Sequence, residues 1–85
     1  MDNELIQERL LDLFIDAKNN FDFWCGMIKQ YGYNNDAGVS LSMYYGQMSG
    51  IALAEKELVG DGKVSEIFKE IEDAKLYEED YKSPE

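Results

Sequence analysis

From Ala37 to Ala54 the chain carries no charged residue, although 31% of its residues are charged. If such a run is helical, it has no polar face to leave in water and must be covered on most of its sides. Inside it, Ser42, Gly46, Gly50 and Ala54 recur at every fourth position. Positions four apart share one helix face, so these residues form a stripe of small side chains. Leu41, Tyr44, Tyr45, Met48, Ile51 and Ala52 cover most of the other side. A glycine inside a helix costs about 0.8–1 kcal/mol relative to alanine. Two on one face call for a compensating contact, and close approach of another helix backbone is the usual one. The sequence therefore predicts a central helix buried on most faces, with Ser42, Gly46, Gly50 and Ala54 at a tight helix contact. That contact lies either inside one chain or at the seam of a homo-oligomer.

The flanking segments supply further helices. Ile6, Leu10, Leu13, Ala17, Phe21, Trp24, Ile28 and Tyr31 are spaced by threes and fours, which is one face of a long helix. Asp2 or Asn3 can cap it, and Glu4 sits favourably in its first turn. Asn19-Asn20 and Gly26 are its weak points. Gly32 through Gly38 reads as a loop, with Ser40 as the cap of the second helix. Gly60 and the following Asp61-Gly62 read as its stop and turn. Val64, Ile67, Phe68, Ile71 and Ala74 define one face of a third helix. The expected fold is all-α and a single domain of helices over roughly residues 3–31, 40–59 and 63–80. It is a three-helix antiparallel bundle, or a helical hairpin with a long first helix, assembled into a homodimer. Leu11 and Ile15 fall off the main apolar face of the first helix and are further candidates for the oligomer contact.

Composition removes many functions. There is no histidine, which takes away the commonest general base and the commonest metal ligand. Cys25 is the single cysteine and sits among Phe23, Trp24 and Met27, so it reads as a small buried side chain. Carboxylates on a helix face can join di-metal sites, but those sites use Glu-x-x-His. Asn34-Asn35-Asp36-Ala37-Gly38 fails as a calcium loop, because Tyr45 stands where the twelfth-position glutamate belongs. Gly60-Asp61-Gly62-Lys63 lacks the spacing of a phosphate loop. The expectation is no catalysis, no cofactor and no metal. The N-terminus has no signal-peptide pattern, and the uncharged middle is too polar for a membrane span. A cytoplasmic protein without a membrane partner is expected.

The chain has eighteen acidic and eight basic side chains, a net charge of −10. Such a surface repels nucleic acid and attracts basic proteins. Glu4, Glu8, Asp12 and Asp16 recur every fourth residue, and Glu66, Glu70 and Asp73 form a second row. Like charges at that spacing weaken a helix by a few tenths of a kcal/mol each. Carboxylates four apart lie ~6 Å apart along the axis, near the separation of successive phosphates on one nucleic-acid strand. The sequence thus predicts an interaction protein that presents these seven carboxylates to a basic protein surface, such as that of a nucleic-acid-binding protein. Tyr33, between glycine and asparagine, is a candidate anchor at the interface. Two other readings stay open. One is a purely structural oligomerisation module. The other is a small-ligand binder with its pocket at the seam or among the aromatic rings where helices one and two meet.

Overall fold

The longest element forms without a break through its expected weak points. The computed structural model describes residues 3–74, in which α1 spans Asn3–Tyr31, α2 spans Asn35–Leu58 and α3 spans Lys63–Ala74. The described residues contain no strand, so the chain is all-α, as the periodicity predicts. The candidate cap Asp2 and the continuation of the third helix to residue 80 lie outside the described residues. Across Asn19-Asn20, Lys18 Nζ reaches Asp22 Oδ2 at 2.8 Å one turn on. Asn20 Nδ2 donates to the Asp16 carbonyl at 3.0 Å. Both contacts bridge the stretch where propensity is lowest.

Glycine ends α1 as expected. Gly32 has φ of 90° and donates to the Ile28 carbonyl at 2.8 Å, the left-handed stop that a side chain disfavours. The start of α2 departs from expectation. Asn34, not Ser40, is the cap: its backbone is extended and its Oδ1 accepts from the Ala37 N–H at 2.8 Å. Asp36 sits in the first turn, where the helix dipole favours an anion. Gly38 is therefore helical, and the loop shrinks to residues 32–34. α2 stops where predicted. Gly60, at φ 92°, donates to the Glu55 and Lys56 carbonyls at 3.1 and 3.2 Å.

The core gathers Phe14, Ala17, Phe21, Cys25 and Ile28 from α1, Ala37, Leu41 and Met48 from α2, and Val64, Phe68 and Ile71 from α3. Phe68 ties the three helices together. Its ring meets Phe14 edge-on at 6.3 Å and lies 5.3 Å from Tyr45. Phe21 in turn meets Tyr45 at 6.3 Å. α3 thus lies on the side of α1 that carries Phe14 and Leu11, and it turns the buried face of α1 towards them. Leu13 and Tyr31, read from spacing as core, are 54% and 71% exposed. Leu11, read as lying off the main apolar face, is half-buried against the core, while Ile15 stays exposed.

Among the described residues, the expected cover of the central helix on most of its faces is not found within one chain. α1 and α3 cover only the side of α2 that carries Leu41, Met48 and Glu55. The opposite side, with Val39, Met43, Gly46, Gly50 and Leu53, faces solvent. No helix among the described residues is long and apolar enough to cross a membrane.

Candidate functional site

The small-residue stripe lies open. A Cβ placed on Gly46 or Gly50 would meet no atom within 4 Å. Ser42 is exposed as well, and Ala54 is half-buried. No part of the described chain uses the close approach that two helical glycines permit, so the reading of the stripe as an intramolecular contact is corrected. Beside it runs a shallow, mostly apolar groove between α1 and α2, lined by Leu10, Leu13, Ala17, Gly50, Ile51 and Ala54, with Asp16 at its rim.

The seven candidate carboxylates are on the surface: Glu4, Glu8, Asp12, Asp16, Glu66, Glu70 and Asp73 are exposed. Their arrangement differs from a flat row on α1. Each step of four advances the side chain by roughly 40° around a helix of 3.6 residues per turn. Over three steps the row winds from one flank of α1 to the other. Glu4 and Glu8 border a depression shared with Lys63 of α3, whereas Asp16 reaches the groove beside α2. Glu66, Glu70 and Asp73 stay closer together on the outer side of α3. Lys56, Lys63 and Lys69 gather around the α2–α3 turn with Asp61 and Glu66, which places much of the positive charge of this half at one end. Among the described residues, Glu8, Asp12, Asp16, Glu66, Glu70 and Asp73 form no ion pair.

One functional group escapes sequence reasoning. Glu55 is 1% exposed, a carboxylate inside the junction of α2 and α3. Its Oε1 accepts from the Gly62 N–H at 3.0 Å, the Ser65 N–H at 3.0 Å and the Ser65 hydroxyl at 2.9 Å. Its Oε2 accepts from the Val64 N–H at 3.2 Å. These are N–H groups at the start of α3, which has no upstream carbonyls to satisfy them. Glu55 therefore caps α3 from another helix, and the dipole of α3 favours its charge. The approach is close: a Cβ on Gly62 would lie 2.9 Å from the carboxylate, so glycine is the residue that fits. A lone glutamate at the end of a helix, next to Lys56 and Glu57, carries no mark in the sequence that distinguishes it from a solvated one.

The aromatic junction divides. Phe21 is buried, and Tyr44 and Tyr45 pack on the core. Phe23 is 58% exposed and meets Trp24 edge-on at 5.5 Å. Tyr33 is 39% exposed, and its ring folds back onto Gly38 at the first turn of α2. It is a half-open ring seated on the helix rather than a freely projecting anchor.

Comparison with protein-family models, with curated proteins and with solved structures returns no match. Among the described residues no group of three or more Cys, Asp or Glu side chains is placed to hold a metal ion.

Proposed function

We propose that this chain is a small, acidic, non-enzymatic interaction protein that engages a basic protein surface through its carboxylates. The most concrete form is an inhibitor or regulator of a nucleic-acid-binding protein, occupying by charge mimicry the groove that would otherwise hold phosphates. Small acidic inhibitors of this kind serve phages and mobile elements as anti-CRISPR or other anti-defence proteins; that comparison is one of size and charge alone. The protein acts in the cytoplasm, as an antiparallel three-helix unit that forms a homodimer, without cofactor, membrane or direct nucleic-acid contact.

The observation that carries this reading is the set of exposed carboxylates on α1 and α3, of which Glu8, Asp12, Asp16, Glu66, Glu70 and Asp73 form no ion pair among the described residues, on a chain of net charge −10. An exposed carboxylate left unpaired adds nothing to folding, and rows of them are mutually repulsive. They do raise the encounter rate with a basic partner and select against acidic ones. The open side of α2 favours a second reading, a structural oligomerisation module. Salt separates the two, since charge-driven capture weakens as salt screens it and apolar assembly does not.

The test uses proteins retained by the tagged chain from a lysate of its source at low salt. Glu8→Lys with Asp12→Lys, and separately Glu66→Lys with Glu70→Lys, are expected to weaken partner binding at least about tenfold. Helix content should be unchanged, because all four residues are exposed. Added nucleic acid should compete. Asp16 is left intact because it also borders the α2 groove. A partner indifferent to both reversals, to salt and to nucleic acid would rule the mimic reading out.

A further inference from the structure

We propose that the shallow groove between α1 and α2 seats an amphipathic helix of the partner, apolar towards the groove and basic along its edges. The inference rests on the basic-partner reading above and names the element of that partner and its place. Carboxylates alone speed encounter and select the sign of the partner, but a lasting contact needs an apolar centre inside a charged rim. The acidic surface has such a centre within reach. The row on α1 winds through Glu8 and Asp12 to Asp16, which stands at the rim of the groove. Leu10, Leu13 and Ala17 form the α1 wall, and Ile51 and Ala54 form the α2 wall. The opening is about 400 Å³, and Leu13 at its edge is 54% exposed. From Leu10 to Ala17 the α1 wall runs about 10 Å, two turns of helix. A docked helix reads such a length with apolar anchors at i, i+3 or i+4, and i+7.

Charge chooses the occupant. Asp12 and Asp16 on α1, and Glu57 one turn past Ala54 on α2, are exposed. None of the three forms an ion pair among the described residues. Arg9, one turn before Leu13, is exposed too and sets a single positive charge against them. The flanks of the groove therefore keep an acidic excess. An acidic helix would meet Asp16 and Glu57 at its edges, and a second copy would bring a net charge of −10 to them. A basic helix gains from the same groups. Its lysines or arginines reach Asp16 from one edge and Glu57 from the other, while its apolar stripe covers Leu13 and Ile51. The acidic row then guides the partner in, and the groove at its end holds it.

The probes are two synthetic helical peptides with leucine at i, i+3, i+4 and i+7. One carries lysine at the remaining positions and the other glutamate. In an amide NMR titration of the full chain, the lysine peptide should bind and shift Leu13, Ala17, Gly50 and Ile51, and the glutamate peptide should not bind. Leu13→Ser and Asp16→Lys should each weaken binding at least about tenfold. Helix content should be retained, because both residues are exposed. Glu66→Lys with Glu70→Lys, on α3, changes the net charge more than Asp16→Lys does, yet should weaken binding less. No binding of the lysine peptide, equal binding of the glutamate peptide, or binding indifferent to Leu13→Ser would overturn the proposal. So would a homodimer that Leu13→Ser dissociates in sedimentation equilibrium, because the groove would then hold a second copy. A partner retained from lysate that is lost on the carboxylate reversals but keeps its affinity for Leu13→Ser would overturn the groove and leave the acidic interaction reading standing.

Discussion

Glu55→Ala is expected to lower stability by about 3 kcal/mol, because it strips the start of α3 of its acceptor. The Gly62, Val64 and Ser65 N–H groups lose their partner together, and the Ser65 hydroxyl with them. Helix caps from short side chains are typically worth about 1 kcal/mol. Glu55 satisfies three N–H groups at once in a site closed to water, which raises its contribution. A small domain has about 5–10 kcal/mol in all, so this loss is large and corresponds to a fall in Tm of about 15 °C. Glu55→Gln separates shape from charge. Its carbonyl can take the place of Oε1, but its amide would point a donor at the Val64 N–H, so about half the loss should remain. The measurement is thermal and urea unfolding at one fixed protein concentration. A loss below about 1 kcal/mol for Glu55→Ala would show that α3 does not depend on this cap.

Phe14→Ala should cost about 4 kcal/mol, within the range for deleting a fully buried aromatic ring. Phe14 is 0% exposed, and it carries the edge-on contact through which α1 holds Phe68. Truncation removes the transfer term, leaves a cavity between α1 and α3, and loses the ring–ring contribution. Phe14→Leu, nearer in volume, should recover more than half of the loss. Unfolding by urea measures both. A cost under about 1.5 kcal/mol for Phe14→Ala would mean that α3 packs elsewhere.

These two residues also show where sequence reasoning stops. The helices were legible because threes and fours persist along α1 and α3 and because Gly32 and Gly60 sit where the chain must turn left-handed. The exposure of the acidic residues was legible from their chemistry. Phe14 was not, because the spacing on α1 fits several adjacent faces equally well. The choice among them is made by α3, which packs on the Leu11 side and brings Phe68 to Phe14. Glu55 was illegible for a related reason. Its burial comes from the turn at Asp61-Gly62 bringing the start of α3 back over the last turns of α2, a tertiary event that leaves no local mark. The start of α2 was misread because Gly38 was taken for loop punctuation. The Asn34 cap with Asp36 behind it was the stronger signal, and Gly38 instead makes room for the Tyr33 ring. The uncharged run predicts a helix covered on most faces, by the same chain or by a second copy; among the described residues its outer side is left open.

The open side of α2 is uncharged from Val39 to Leu53, and the candidate carboxylates lie on α1 and α3 around it. That division predicts an unusual response to salt. Sedimentation equilibrium of the wild-type chain, run at low and at high sodium chloride, tests it most directly. Screening shortens the reach of the repulsion between two copies of charge −10 but leaves apolar burial intact. The account predicts a dimer that tightens as salt rises. A chain that is monomeric throughout, or a dimer that falls apart as salt is added, would contradict it.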